Sequence, residues 1–202
     1  MVWRMELPPL LGALREVLAR RGTGVPAARR GRRTAAVLVP FFHRDGALNV
    51  LMFRRTNEVP THKGQVAFPG GSTEPSDNTL LDTALREAHE EVGIVPDRVE
   101  VLGPLQPFDT RVSDFVVHPF VGYLRDADPG FTSQPSEVDQ LLELPVDALR
   151  DPRTRHWGLV PGFNVPIPLT YYRVGDTVVW GASGGIMGEL LEALDEAEAG
   201  GA

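Results

Sequence analysis

Residues 80–92 constrain the fold more than any other stretch, because they combine an apolar face with three glutamates at helical spacing. If they are helical, steps of about 100° per residue place Glu87, Glu90 and Glu91 on one face. The opposite face then carries apolar side chains that can pack on a core, namely Leu81, Leu85, Ala88 and Val92. The stretch therefore predicts an amphipathic helix whose polar face is made of carboxylates.

Carboxylates at these spacings repel each other, by about a few tenths of a kcal/mol per pair on an isolated helix. A hard divalent cation would explain the arrangement, since Mg²⁺ binds oxygen ligands and is usually held by one or two carboxylates together with substrate phosphates. The flanking glycines agree with this interpretation. Gly70 and Gly71 let the backbone approach a ligand closely, and Gly93 suits a left-handed helix cap.

The order of these residues resembles the Nudix box, in which a glycine, five residues, a glutamate and seven residues precede R-E-U-x-E-E-x-G-U, with U aliphatic. The matching positions are Gly71, Arg86, Glu87, Glu90, Glu91 and Gly93. Asp77 stands where the first glutamate is expected, eight residues rather than seven separate it from Arg86, and Ala88 is a small U. The resemblance implies the Nudix fold, an α/β architecture with a mixed β-sheet sandwiched between α-helices.

Upstream of the box, residues 51–56 and 60–71 are similar to the signature of the coenzyme A pyrophosphatase branch of the Nudix family. The sequences HKGQ (62–65) and FPGG (68–71) are retained, whereas Phe53 stands where the signature usually has threonine. Basic side chains here suit a ligand with a diphosphate and a further phosphate; alternatively, Arg54 and Arg55 are solvated charges at a strand end. The predicted substrate-binding residues are Arg54, Arg55, His62, Lys63, Gly70, Gly71 and Glu137.

By resemblance, the substrate is coenzyme A or an acyl derivative, cut at its diphosphate to 3′,5′-ADP and 4′-phosphopantetheine or its acyl form. Two alternatives stay open: a Nudix hydrolase of another nucleoside diphosphate derivative, such as NADH or an ADP-sugar, and a non-catalytic nucleotide-binding module. A binding module would be expected to lose metal-binding glutamates, and all three are present.

Bound Mg²⁺ or Mn²⁺ would neutralise the diphosphate and lower the pKa of an attacking water. The expected ligands are Glu87, Glu90 and Glu91. The general base is open between Glu90, which could serve both roles, and Glu137 in a downstream loop. We expect Arg86 to orient the glutamates or the loop rather than to contact substrate.

The chain of 202 residues suits one domain, with residues 34–198 as the Nudix hydrolase domain and residues 1–33 as an N-terminal helix and basic loop of the same domain. Its net charge of −7 argues against general affinity for nucleic acid or an anionic membrane. It contains no cysteine, which excludes disulfides, thiolate zinc sites and cysteine nucleophiles. The sequence shows no secretory signal pattern and no apolar run near the roughly 20 residues of a membrane span, so we expect a cytoplasmic protein. A homodimer is possible.

Patterning elsewhere predicts helices at residues 7–20 and 186–198, with a short one after Pro145. The apolar runs 34–42 and 49–53 flank an Asp-Gly turn and predict a hairpin. Strands are predicted at 66–68, 99–105 and 116–124, with an edge or bulge near Pro119, and a last hairpin at 169–180. Residues 70–71 are expected to form a loop, and residues 151–168 no regular element. The basic cluster of Arg29, Arg30, Arg32 and Arg33 is either a solvated linker or a phosphate-docking segment.

Overall fold

The structure is a computed structural model that describes residues 7–22, 32–57, 63–110, 114–125, 130–162 and 168–201. The helices are α1 (Pro9–Arg21), α2 (Leu80–Val92), α3 (Val146–Arg150) and α4 (Gly181–Gly201). The strands are β1 (Arg33–Arg44), β2 (Ala47–Arg55), β3 (Val66–Ala67), β4 (Gly70–Ser72), β5 (Val99–Pro104), β6 (Phe108–Asp109), β7 (Phe115–Leu124), β8 (Val138–Pro145), β9 (Arg155–Gly158), β10 (Leu169–Val174) and β11 (Thr177–Val179). Short 3₁₀ turns cover Pro96–Arg98 and Pro152–Thr154.

The predicted first hairpin forms the centre of the main sheet. β1 and β2 pair antiparallel through a turn in which Asp45 and Gly46 both have positive φ, 51° and 80°. A turn with two positive φ values matches the right-handed twist of the flanking strands, which is why Asp-Gly favours it. On its other side β1 pairs parallel with β7, so the sheet is mixed.

Eight strands make up this sheet, with β3-β2-β1-β7-β5 as its main path and β4, β6 and β8 pairing with β1, β7 and β2. β7 is not an edge strand, so an edge position for Pro119 is wrong, whereas the alternative of a nearby bulge agrees with the register shift of β5 opposite Val121 and Gly122. Pro119 instead lies where the partner of β7 changes, between β5 pairing that ends opposite Phe120 and β6 pairing that starts opposite Val117. A second sheet contains β11, β10 and β9 in that order.

Helices cover both faces of the main sheet, and alternate residues of β1 show it. Ala36, Leu38 and Phe42 pack in the cluster that contains the apolar side of α2. Ala35, Val39 and Phe41 belong to the opposite cluster, with side chains of α1 and α4. Since successive strand residues point to opposite faces, the sheet lies between two helical layers. The predicted α/β fold, a mixed sheet sandwiched between helices, is confirmed.

Three local predictions are wrong. Residues 70–71 form the short strand β4 on β1 instead of a loop, β9 lies within residues 151–168, and α4 begins at Gly181, ahead of the predicted start. The strand β8 was not assigned from the sequence, because its apolar residues do not alternate strictly. Within the described part of the chain, no helix is long and apolar enough to cross a membrane.

Candidate active site

The start and end of α2 are fixed by local sequence. Thr79 caps the helix: its hydroxyl accepts from the Asp82 N–H at 3.1 Å, while the Asp82 carboxylate accepts from the Thr79 N–H at 2.8 Å. This reciprocal pair satisfies two N–H groups that a helix start leaves without partners. At the other end Gly93 adopts the left-handed conformation, φ 73°, as the sequence predicted.

Small side chains bring α2 close to the sheet. Ala84, Ala88 and Val92 are fully buried, whereas Leu81, predicted for the apolar face, is only partly buried and lies outside both core clusters. The buried face is therefore rotated toward the glutamates relative to the prediction. As a result Glu91 lies at the edge of the core, and its residue is 3% exposed.

Arg86 connects the acidic residues around α2. Its Nη1 atom donates to Glu87 Oε1 and to Glu90 Oε2, both at 3.1 Å, and its Nη2 atom donates to the Ser72 carbonyl at 3.2 Å. One guanidinium thus orients two of the predicted ligands and ties them to the end of β4. This geometry agrees with the expectation that Arg86 orients the glutamates.

Asp77 anchors Arg86 from the loop before the helix. Its carboxylate accepts from Arg86 Nε at 3.0 Å and from Arg86 Nη2 at 3.1 Å, and also from the Thr83 hydroxyl and the Glu74 N–H. Hydrogen bonds from Arg86 hold the pKa of Asp77 well below its usual range. The residue that replaces the first glutamate of the box therefore joins the loop to the helix.

Glu91 is the most buried carboxylate of the group. Its Oε2 atom accepts from the Gly70 N–H at 2.8 Å, and its Oε1 atom lies 3.8 Å from Arg55 Nη1. Burial raises the pKa of Glu91 to about 8, although the Gly70 N–H and Arg55 oppose the shift. A charged carboxylate at this position is therefore short of compensating positive charge.

Glu87 lies directly against β4. A methyl group built on Gly71 would approach Glu87 Oε1 to 2.4 Å, so only glycine leaves room for the carboxylate as it stands. Burial is the main cause that raises the pKa of Glu87, and Arg86 opposes it. The sequence predicted that Gly71 lets the backbone approach a bound molecule closely. In the structure, Gly71 instead closely approaches Glu87, a side chain that is predicted to bind the metal ion.

Arg55 lies between two carboxylates from different parts of the chain. Its Nη2 atom is 3.8 Å from Glu137 Oε2, while its Nη1 atom is 3.8 Å from Glu91 Oε1. Residues 130–137 reach this position because their backbone docks on the end of α2, where the Thr132 N–H donates to the Val92 carbonyl and the Gln134 N–H donates to that of Glu91. The downstream loop is thereby brought to the carboxylate face.

The other predicted substrate-binding residues are distributed as follows. Lys63 is exposed in a turn fixed on Arg55, whose carbonyl accepts from the Gly64 N–H at 3.1 Å. Met52 and Phe53 pack on opposite faces of the sheet, so alternation along β2 directs Arg54 away from the face that carries Glu91. His62 lies outside the described residues.

Two members of the basic cluster have local partners. Arg32 donates to the Thr110 carbonyl at 2.9 Å and pairs with Asp109 and Asp114, and the Arg33 guanidinium lies 4.4 Å from the ring centre of Phe115. These contacts tie the start of β1 to its neighbours. Arg29 and Arg30 lie outside the described residues.

The carboxylate face carries excess negative charge, which suits a hard divalent cation. Two guanidiniums, Arg55 and Arg86, stand among the carboxylates of Asp77, Glu87, Glu90, Glu91 and Glu137. Among the described residues no three acidic or histidine side chains already converge as metal ligands, because Arg86 engages Glu87 and Glu90 and Gly70 engages Glu91. The oxygen donors and the raised pKa values of Glu87 and Glu91 nonetheless fit such a cation.

The sequence matches the model of one protein family over most of its length. The model of the NUDIX domain matches residues 32–162. The chain belongs to the Nudix family. Nudix hydrolases act on phosphorus anhydrides and generally need a divalent cation, so the chain is a pyrophosphatase whose substrates are small nucleotide-like molecules.

Relatives and solved structures agree with this Nudix assignment. The chain is similar to proteins described as uncharacterised Nudix hydrolase NudL, with 43% identity in Pectobacterium atrosepticum (70% of this chain, 73% of the relative) and 39% in Enterobacter sp. strain 638 (79% and 81%). A Caenorhabditis elegans Ap4A hydrolase in a binary complex superposes with a TM-score of 0.54 at 17% identity, over 83% of this chain and 98% of that one. A MutT/nudix family protein from Enterococcus faecalis has a TM-score of 0.54 at 13% identity, over 88% and 67%. These structures support the fold alone.

Two contributors to the Nudix site, Ser72 and Thr83, were missed in the sequence, and Gly70 was predicted to bind substrate rather than to hold Glu91. Thr83 and Ser72 help to place Asp77 and Arg86, and Gly70 holds Glu91. Thr83 lies six residues after Asp77, and its polarity inside an otherwise apolar helix face was a signal that could have identified it. The contacts of Ser72 and Gly70 use the main chain and leave no trace in residue type.

Proposed function

We propose that the chain hydrolyses the diphosphate linkage of coenzyme A or an acyl-coenzyme A, releasing 3′,5′-ADP and 4′-phosphopantetheine or its acyl form. The observation that carries this proposal is that the Arg55 guanidinium lies beside two carboxylates without a close hydrogen-bond partner for its nitrogens in the part of the chain that the structure describes. Its Nε atom is buried without a hydrogen-bond partner among the described residues, and its terminal nitrogens stand 3.8 Å from Glu91 and Glu137. Both distances exceed the length of a hydrogen bond and the Arg55 side chain is 21% exposed, so a substrate phosphate oxygen is the partner we assign to its terminal nitrogens.

Lys63 supports the same substrate. The turn that carries it is hydrogen-bonded to Arg55 through both main-chain groups, since Arg55 N–H donates to the Gln65 carbonyl at 2.9 Å. Lys63 thus lies on a segment that is hydrogen-bonded to the main chain of Arg55. A substrate with a phosphate beyond its diphosphate, such as the 3′-phosphate of coenzyme A, would use this second cation. His62 and Arg54 remain predictions as substrate contacts.

In the proposed reaction a water attacks one phosphorus atom of the diphosphate, the bond from that phosphorus to the bridging oxygen breaks, and the water loses its proton to a carboxylate. Arg86 holds Glu87 and Glu90, and the Gly70 N–H holds Glu91, so that these three side chains would present oxygen ligands together. A bound divalent cation supplies charge neutralisation and a water of lowered pKa. Mg²⁺ and Mn²⁺ are the ions we propose.

The proton acceptor is proposed to be Glu90 or Glu137. The side chain of Glu90 is 56% exposed and that of Glu137 is 46% exposed, so both can reach a water, unlike Glu91. Replacement of each by glutamine distinguishes them. The variant that lacks the base should lose kcat together with the acidic limb of the pH profile, whereas the other should retain that limb.

The test of the substrate is turnover of coenzyme A, NADH and ADP-ribose side by side with Mg²⁺ or Mn²⁺, with products identified by mass. We expect kcat/KM to be highest for coenzyme A, with 3′,5′-ADP as a product. Cleavage of NADH or ADP-ribose alone would retain the hydrolase and reject the coenzyme A assignment. Binding of these nucleotides without cleavage would instead favour a nucleotide-binding module.

A further inference from the structure

A cleft of about 430 Å³ opens next to Arg55, at the end of β2 and the start of β8. It is lined by Thr56, Asn57, Pro135, Val138 and Asp139. Its two sides are joined by hydrogen bonds: the Thr56 N–H donates to the Glu137 carbonyl at 3.0 Å, and the Thr56 hydroxyl donates to the Ser136 carbonyl at 3.3 Å. The cleft is therefore built on fixed backbone and adjoins the carboxylate face through Arg55.

Asp139 occupies a special position in this cleft. The β2–β8 register pairs Arg54 with Gln140 and Arg55 with Val138, so Asp139 is an extra residue without a partner on β2. An extra residue of this kind forms a β-bulge, which redirects a side chain and is common beside active sites. Asp139 is exposed and lines the cleft, so the bulge turns a carboxylate toward it.

The chemistry of the cleft differs from that of the Lys63 turn. Its described lining offers the carboxylate of Asp139 and the amide of Asn57, with the carboxylate of Glu137 close by, and it includes no cation. Such a lining repels a phosphate and accepts hydrogen bonds from neutral N–H and O–H groups. Asn57 lies where the cleft meets the Lys63 turn, since its Oδ1 atom lies 3.6 Å from a methyl group built on Gly64.

We infer that this cleft is the subsite for the uncharged, hydrogen-bonding end of the substrate, with Asp139 as its specificity residue, while the phosphorylated nucleoside end lies toward Lys63. The inference rests on the proposed function, because it orients the substrate of that same site. Under the coenzyme A proposal, the uncharged end is the pantetheine arm. Its amide N–H and hydroxyl groups donate hydrogen bonds that the Asp139 carboxylate accepts. The diphosphate then spans Arg55 and the glutamates.

The test compares Asp139→Asn with Lys63→Ala on coenzyme A and on dephospho-coenzyme A, which lacks only the 3′-phosphate. Loss of a hydrogen bond to a charged acceptor should raise KM of Asp139→Asn by about 10-fold for both substrates, with kcat little changed. Lys63→Ala should raise KM for coenzyme A and leave that for dephospho-coenzyme A nearly unchanged. Asp176→Asn, the same change in the turn between β10 and β11, serves as the control and should match wild type.

The KM effects of the two variants must therefore differ: that of Lys63→Ala depends on the 3′-phosphate, and that of Asp139→Asn does not. Wild-type KM in Asp139→Asn, or a KM increase in that variant that disappears with the 3′-phosphate, would overturn the orientation. If the enzyme cleaves ADP-ribose but not coenzyme A, the proposed substrate fails while the cleft is still tested. In that case the uncharged terminal ribose takes the place of the pantetheine arm, so Asp139→Asn should raise KM for ADP-ribose, and an unchanged KM would reject the subsite.

Discussion

Replacing Gly71 by alanine separates activity from stability at the carboxylate face. The added methyl group would stand 2.4 Å from Glu87 Oε1 and 2.6 Å from its Cδ, whereas ordinary contact begins near 3.4 Å. The Glu87 carboxylate must therefore move by about 1 Å, and a displacement of that size at a reacting centre costs about 100-fold in rate, or roughly 2.7 kcal/mol. The fold should tolerate the change, because the clashing group is the end of a flexible side chain and Gly71 does not require positive φ.

The assay is kcat/KM for the best substrate with Mg²⁺, measured together with the free energy of unfolding in urea. We expect Gly71→Ala to lose about 100-fold in kcat/KM while its unfolding free energy stays within about 1 kcal/mol of wild type. Gly12→Ala in α1, where a methyl group meets nothing within 4 Å, is the matched control and should keep full activity. If Gly71→Ala retained kcat/KM within about threefold of wild type, the position of Glu87 would not matter for the reaction and the site would be misassigned.

Three further variants test other contacts. Gly70→Ala should unfold more easily by about 3 kcal/mol, because its methyl group would meet the Ala36 carbonyl at 2.4 Å at a φ of 156°; thermal unfolding measures it, and a wild-type melting temperature would contradict it. Asp77→Asn should lower kcat, since Arg86 loses its anchor. The stability that this low-pKa carboxylate provides is present above pH of about 3.9. The unfolding free energy of Asp77→Asn, measured by urea titration, should therefore lie below that of wild type above this pH, and the difference should shrink as pH falls below it. A difference that stays constant with pH would refute the role of Asp77. In a chelator, wild-type stability should decline as pH rises from about 4.3, the unfolded pKa of a glutamate, to about 8, the folded pKa of Glu91; Glu91→Gln should lack this decline, and parallel curves would count against a buried Glu91.

Local sequence was sufficient to predict the elements whose signals lie within a few residues. The Asp45–Gly46 turn between two apolar runs predicted the hairpin, and Gly93 marks the C-terminal end that α2 adopts. The three glutamates could be grouped from helical spacing alone. The family resemblance added the sandwich architecture, which periodicity does not determine.

Long-range contacts could not be predicted in the same way. The burial of Glu91 follows from the docking of α2 on β1 and β4 through small residues, and helical spacing cannot supply that rotation. The expected loop at residues 70–71 became β4 because β1 offers it backbone partners far away in sequence. The β-bulge at Asp139 depends on the register of two strands distant in sequence.

The most direct test of the central claim is metal-dependent turnover of coenzyme A by wild type and by Glu91→Gln, with product masses recorded for both. We expect wild type to release 3′,5′-ADP only when Mg²⁺ or Mn²⁺ is added, and we expect Glu91→Gln, folded as judged by circular dichroism, to release none. Release of 3′,5′-ADP at a near wild-type rate by Glu91→Gln, or by wild type in excess chelator, would contradict the assignment of hydrolysis to the glutamates of α2.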